Sequence, residues 1–213
     1  AGAIRLWEGT NSYYEEPHLA SFMGRFNYTY ADRYILTVNA RTDASSKFGS
    51  NHKWGFFPSV SAAWAVSEEE FMKRIPLVDN LKLRVGYGLA GNQNGIDSYT
   101  TLGLVRPNGV VPVGNSAVVT LGEMQNINPD LKWEVKHTFN AGADLGMFGN
   151  RLLLSVNYYN SKTTDMLYLY NVSVPPFTYN TLLANIGSMR NSGTEIAIGI
   201  TPLKTPDMEL NIN

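Results

Sequence analysis

The chain has 213 residues, a net charge of −1 and no cysteine. That length allows one or two domains, but there is no disulfide framework, no thiolate metal site and no basic footprint for nucleic acid. Only 16% of residues are charged, against the roughly 25% usual in soluble domains, and no apolar run reaches the ~18 residues of a membrane-spanning helix, a test to which strands that cross a membrane are blind.

Residues 1–21 hold no sustained period, and their polar run reads as loop. From Phe22 a period of two begins. Phe22, Gly24, Phe26, Tyr28 and Tyr30 oppose Met23, Arg25, Asn27 and Thr29, and after Ala31–Arg33 the same pattern sets Tyr34, Leu36, Val38 and Ala40 against Ile35, Thr37, Asn39, Arg41 and Asp43. Successive strand side chains point to opposite faces, so this is a hairpin with one greasy face and one wet, charged face. A Ser/Gly/Asn loop follows at 45–55, and then residues 56–67 set Val60, Ala62, Trp64 and Val66 against small residues. Ser67 with Glu70 has capping-box spacing, which predicts a turn or two of helix before Pro76.

Leu81, Leu83, Val85, Tyr87 and Leu89 alternate with Lys82, Arg84, Gly86 and Gly88. Residues 90–131 form a long excursion of Gly, Asn and Pro, a length usually kept for function. Alternation resumes over 132–146, with Trp133, Val135, His137, Phe139, Ala141, Ala143 and Leu145 on one side and Glu134, Lys136, Thr138, Asn140 and Asp144 on the other. Gly149-Asn150 is the expected hairpin pair. Leu152, Leu154, Val156 and Tyr158 then face away from Ser155, Asn157 and Tyr159; residues 162–185 read as a second long segment broken by Pro175-Pro176. Ile196, Ile198 and Ile200 oppose Glu195, Ala197 and Gly199, residues 202–206 turn the chain, and Met208, Leu210 and Ile212 begin a last strand.

These are eight candidate strands, and their connections alternate in length: short at 31–33, 68–80, 146–150 and 202–206, long at 45–55, 90–131 and 162–185. Up-and-down strands with short turns at one end and long loops at the other build an outer-membrane barrel. Nine residues at about 3.3 Å each, tilted near 40°, cover roughly 23 Å, close to the ~25 Å apolar band of such barrels. Tyr28, Tyr30 and Tyr34 bracket the first short turn, where an interfacial aromatic girdle belongs.

The segments GRFNYTYADRYILTVNARTDASSKFG, KWGFFPSVSAAWAVSEEEFM, LKLRVGYGLAGNQ, NPDLKWE, FGNRLLLSVNYYNSKTTDML and NIGSMRNSGTEI together resemble the barrel region of SusC/RagA-type TonB-linked outer-membrane transporters. The resemblance implies an all-β, antiparallel, up-and-down transmembrane barrel, of which residues 1–213 supply about eight strands of a roughly 22-stranded wall. It implies an N-terminal plug, a signal peptide and a terminal strand outside this chain, a SusD-like surface lipoprotein over the extracellular mouth, the TonB complex acting through the plug, and outer-membrane lipid of a Bacteroidetes-like Gram-negative bacterium around the wall. The expected activity is uptake of oligosaccharides, or of peptides, with no enzymatic step and no cofactor. Two other readings stay open at this point: a small, self-closed eight-stranded structural or adhesion barrel, and a soluble β-sandwich that binds glycans.

In the barrel reading the lumen-facing candidates are Arg25, Asn27, Arg41, Asp43, Lys82, Arg84, Glu134, Lys136, Asn140, Asp144, Asn157 and Glu195. Their mixed signs argue against a pore selective for one ion charge. Trp54, Phe56 and Phe57 beside the first long loop, and Tyr99 in the second, are the aromatics available to stack on sugar rings, though they serve equally as interfacial anchors or loop packing. Gly86-Tyr-Gly88-Leu-Ala-Gly91 matches GxGxxG, but no helix follows to meet a pyrophosphate, so glycines that ease strand packing explain it better. His18, His52 and His137 lack metal-ligand spacing. The Asn27 and Asn171 sequons match by chance.

Overall fold

A computed structural model describes residues 14–204 and 208–212. The expectations for residues 1–13, for 205–207 of the last turn and for Asn213 lie outside the described residues. Ten strands run in chain order: β1 (Leu19–Tyr30), β2 (Tyr34–Ser45), β3 (Trp54–Ala65), β4 (Val78–Asn92), β5 (Val105–Val113), β6 (Ser116–Glu123), β7 (Glu134–Met147), β8 (Leu152–Asn171), β9 (Thr181–Lys204) and β10 (Glu209–Ile212). Eight of them form one antiparallel sheet in the order β1-β2-β3-β4-β7-β8-β9-β10, and β5 and β6 pair separately. A sandwich needs two sheets face to face, and a self-closed barrel needs β1 to pair with β10. Among the described residues the sheet does neither; β1 and β10 are its edges.

Directly paired residues share a face, so register can be followed across the sheet. One row runs Tyr30, Tyr34, Trp64, Leu83, Ala143, Val156, Ile196. A second on the same side runs Phe26, Val38, Val60, Tyr87, Phe139. On the opposite side Arg25, Asn39, Ser59, Gly88, Thr138, Ser161 and Asn191 line up. The wall therefore has one continuous apolar face and one continuous polar face.

The apolar face has no partner element among the described residues. Phe26, Val60, Val85 and Ile196 are 60%, 45%, 46% and 64% exposed in the middle of their strands. A water-soluble protein does not leave so broad a patch uncovered. Aromatic rings mark both ends of this face: Tyr30, Tyr34 and Trp64 stack in sequence at the short-turn end, with ring centroids 6.4 and 6.2 Å apart, and Trp54 stacks on Phe22 at 6.3 Å near the long loops. An apolar band between two aromatic girdles is the surface that a bilayer fits.

The turns follow from backbone chemistry. Ala31 and Asp32 both sit in the left-handed region, at φ 52° and 54°, and Arg33 N–H donates to the Tyr30 carbonyl at 3.1 Å. That pair of positive φ values matches the twist of the strands it joins. At the short turn between β7 and β8, Phe148, Gly149 and Asn150 are left-handed, including the expected Gly149-Asn150 pair. The segment after β3 makes the short helical turns expected there, but without the expected cap. It makes two 3₁₀ turns, Val66–Glu68 and Met72–Arg74, and neither has a side-chain cap. Ala65, not Ser67, stands at the cap position, so a Ser67–Glu70 capping box has no helix start to close.

The long-loop end departs further. The excursion expected at 90–131 holds the β5–β6 hairpin, and the segment expected as loop over 162–185 instead extends β8 and β9, which pair out to Asn171 and Thr181. A register shift between Thr163 and Met166, with Asp165 at φ 56°, lets the ladder continue past the band. Here the wall has a small core of its own. Phe48, Phe57, Ile96 and Trp133 cluster, with Phe48 1% and Ile96 2% exposed.

Candidate functional site

The polar face and the mouth above it are the parts of this fold able to do chemistry on a passing solute. β3 and β4 pair from Ala65–Lys82 up to Ser59–Gly88 and then diverge. Phe57 fills the wedge, and a Cβ at Gly91 or Gly55 would run into its ring. Trp133 packs edge-on to Phe57 at 5.5 Å and beside Phe48 at 4.6 Å, and its Nε1–H donates to the Lys53 carbonyl at 3.1 Å. Lys47 Nζ donates to the Ile96 carbonyl at 3.0 Å, tying the loop after β2 to the loop after β4. Asparagines secure the far side. Asn126 Nδ2 donates to the Tyr179 and Thr181 carbonyls, and Asn185 Nδ2 to those of Lys132 and Asp165. The loops are thus fastened to one another and to the β8–β9 extension, giving the mouth a defined shape.

The polar face carries two networks. Near the mouth, Arg25 Nε donates to Asn39 Oδ1 at 2.7 Å and Asn39 Nδ2 to Ser59 Oγ at 3.0 Å, while Arg41 Nε pairs with the buried Asp43 carboxylate at 2.8 Å. A cavity of about 550 Å³ opens here, floored by Phe57 and Trp133. Toward the short turns, Arg84 Nε and Nη2 hold Asp144 at 2.8 and 2.9 Å, and Nη2 also reaches Asn157 Oδ1 at 2.9 Å. Ser155 Oγ donates to the same Asp144 at 2.8 Å. Gly142 lies beneath this group, and a Cβ there would strike Asn157 Oδ1. Glu134 accepts from Asn92 Nδ2 at 2.6 Å and from the Leu167 amide at 2.8 Å, closing the end of β7.

Register places Arg25, Asn27, Arg41, Asp43, Lys82, Arg84, Glu134, Lys136, Asn140, Asp144, Asn157 and Glu195 on this one face. Asn27, Lys82, Lys136, Asn140 and Glu195 form no side-chain hydrogen bond to another described residue. The four aromatics do not come together. Trp54 and Phe56 pair with Ala44 and Thr42 on the apolar face and are 59% and 61% exposed. Phe57 is buried in the mouth core, and Tyr99 O–H donates to the Tyr14 carbonyl at 2.9 Å. Extending the alternation of Val60, Ala62 and Trp64 three steps back, through Pro58, puts Phe56 and Trp54 on the apolar side. Asn39, Ser59, Gln93 and Trp133, which line the cavity, escape a reading of single strands because two strands and two loop segments supply them. The glycines of the GxGxxG match are accounted for by packing: a Cβ at Gly88 would lie 2.8 Å from that of Ser59.

At the short-turn end Glu69 serves as a clasp. Its Oε1 accepts from Tyr34 O–H at 2.8 Å and Trp64 Nε1–H at 3.2 Å, and its Oε2 from Arg33 Nη1 at 3.0 Å. The hydrogen bonds from Tyr34 and Trp64, aided by the Arg33 charge, hold this carboxyl below its ordinary range.

With an open antiparallel wall, two unlike faces and girdled ends in place, comparison with known proteins is decisive. Residues 3–212 match the family described as TonB dependent receptor-like, beta-barrel. The chain belongs to that family. Within it the chain is of SusC/RagA type. It is 41% identical over 193 residues to a TonB-dependent receptor of Formosa agariphila, covering 88% of this chain and 19% of the relative. It is 34% identical to the TonB-dependent receptor SusC of Bacteroides thetaiotaomicron, covering 97% and 22%. A structure of the RagAB peptide importer in its "open-open" state superposes with a TM-score of 0.83 at 30% identity, over 92% of this chain and 21% of that one. The chain thus spans about a fifth of the length of each.

Proposed function

We propose that this chain is part of the wall of an outer-membrane importer that takes up oligosaccharides, or peptides, with energy from the TonB complex. The observation that carries the reading is the pair of unlike faces: an unpartnered apolar band between two aromatic girdles, backed by a polar face that runs unbroken across seven strands. Lipid suits the first face. The second suits a wet lumen in which Arg25, Asn27, Arg41, Asp43, Lys82, Arg84, Glu134, Lys136, Asn140, Asp144, Asn157 and Glu195 bind one another, a plug and the passing solute by hydrogen bonds. In this reading the intact protein lies in the outer membrane of a Bacteroidetes-like bacterium. A SusD-like lipoprotein covers its mouth, resting on the 93–133 loops and the β5–β6 hairpin, whose Val113 and Leu121 are 61% and 66% exposed. The named relatives support the assignment by kinship, SusC as a TonB-dependent receptor and RagAB as a peptide importer. The role is binding and passage, without bond-making chemistry.

The test is uptake by cells carrying the full-length gene or a deletion of it, with labelled oligosaccharide and peptide mixtures. The reading expects uptake of one class that disappears both in the deletion and when the proton gradient that powers TonB is collapsed. Equal uptake in all three conditions would contradict it.

A further inference from the structure

We infer that the cavity on the polar face below the mouth is a carboxylate-recognition subsite, so that the solute this wall admits is acidic. The inference rests on the importer reading and names the chemistry of its cargo.

The argument begins with donors left over. Arg25 and Arg41 both line the cavity, and each engages its neighbours through Nε alone: Arg25 with Asn39, Arg41 with Asp43. Among the described residues, no acceptor meets the terminal NH₂ groups of either guanidinium. Those groups are the ones that grip a carboxylate in bidentate fashion. Each arginine is also held in place. Asn39, which accepts from Arg25, is itself anchored to Ser59 at 3.0 Å, and Asp43, which accepts from Arg41, is 5% exposed. Side chains fixed by neighbours lose less rotamer freedom when a ligand arrives.

The charges point the same way. The cavity lining holds two guanidiniums against one carboxylate, that of Asp43, which leaves a surplus positive charge. The Arg84 network lower on the wall differs, because Nε and Nη2 already hold Asp144 and Asn157 and only Nη1 is left over. The third observation is an acceptor without a donor. Gln93 lines the cavity, and its Oε1 is buried with no hydrogen-bond partner among the described residues. A turn of the Gln93 side chain would bring that carbonyl to an O–H or N–H group on what binds. Trp133 and Phe57 supply an apolar floor in the same space. Cationic donors, one acceptor and an aromatic floor within about 550 Å³ match an acidic sugar unit, which brings a carboxylate, hydroxyls and a C–H face. An acidic peptide end presents the same carboxylate with an amide N–H.

The test uses the full-length protein in detergent and three probes: an oligogalacturonate, its neutral galactose counterpart of equal length, and a short acidic peptide. The wild type should bind one acidic probe at least tenfold more tightly than the neutral sugar, and that preference should shrink as salt is raised from 50 to 500 mM. Whichever acidic probe is preferred identifies the source of the carboxylate. Arg25→Gln with Arg41→Gln should abolish the preference, with a loss of about tenfold or more for the acidic probe that exceeds any loss for the neutral sugar. Arg25→Lys with Arg41→Lys, which keeps the charge but not the fork, should retain part of it. A wild type with no acidic preference, or glutamine variants that keep it, overturns the subsite. Loss of folding in the glutamine pair leaves the salt titration and the lysine pair to decide. Failure of the importer reading is distinguishable, because it is read from energy-dependent uptake and not from discrimination among these probes.

Discussion

Val38 and Thr37 are neighbours in β2 at the same depth of the wall, and they look in opposite directions. Val38 lies between Phe26 and Val60 on the apolar face, whereas Thr37 lies between Asn27 and Ser61 on the polar face. Val38 is four residues from Tyr34 of the short-turn girdle, a rise of roughly 10 Å once a ~40° tilt is allowed for, which puts it near the middle of a ~25 Å band. Arginine at the midplane of a barrel's lipid face costs about 2–4 kcal/mol, so Val38→Arg should shift the folding equilibrium by roughly 30- to 700-fold at about 1.4 kcal/mol per factor of ten. Thr37→Arg adds the same side chain to a wet face and should cost under about 0.5 kcal/mol. Both are measured by reversible denaturant titration of the full-length protein refolded into phospholipid vesicles, read by tryptophan fluorescence and by gel mobility of the folded barrel. Equal costs at the two sites, or a larger cost at Thr37, would refute the assignment of faces.

Three further outcomes follow from the geometry. Phe48→Ala removes a ring that is 1% exposed in the mouth cluster and should cost about 3–5 kcal/mol of local stability; hydrogen exchange in the loops at 46–53 and 93–133 should rise while β2–β4 stay protected. Gly142→Ala drives a methyl into Asn157 Oδ1 beneath the Arg84–Asp144 pair, so the variant should melt lower than wild type, and adding Asn157→Ala should restore part of the loss. The Glu69 clasp has a defined pH sign. Its folded carboxyl is depressed, so the stability it supplies is present above the ordinary glutamate value near 4.3 and is lost as pH falls through the lower folded value. Glu69→Gln should remove that acid-dependent component from a pH series of melts.

The sheet was legible because a strand writes its two faces into alternate letters, and the lengths of the connections revealed which end was which. Register was implicit too: once Tyr30 faces Tyr34, every later pair is fixed by parity until a bulge intervenes. The mouth was not legible, and for physical reasons. The Asp165 bulge breaks parity in β8, so the extension to Asn171 reads as irregular chain. The β5–β6 hairpin shows apolar residues on both sides and carries Pro107 and Pro112, so no alternation announces it. Phe57 obeys the parity of the polar face, yet it is buried because β3 and β4 part above Ser59–Gly88, an event that neither strand encodes alone. Arg25, Asn39 and Ser59 become one unit only when three strands are set side by side. The Glu69 clasp carries no signal in its own segment, because its partners Arg33, Tyr34 and Trp64 lie in other elements.

The central claim, a wall with lipid on one side and water on the other, is tested most directly along β4. The chain has no cysteine, so single cysteines can be placed at 81 through 89 and spin-labelled in the full-length protein reconstituted in bilayers. Collision with oxygen, which concentrates in lipid, and with a water-soluble nickel chelate is then measured at each site. The structure predicts a period of two: high oxygen contact at positions 81, 83, 85 and 87, and low oxygen contact at 82, 84, 86 and 88, with 89 shielded by the mouth cluster that Leu89 packs against. Accessibility without that period, or with oxygen contact high at 82, 84, 86 and 88, would contradict it.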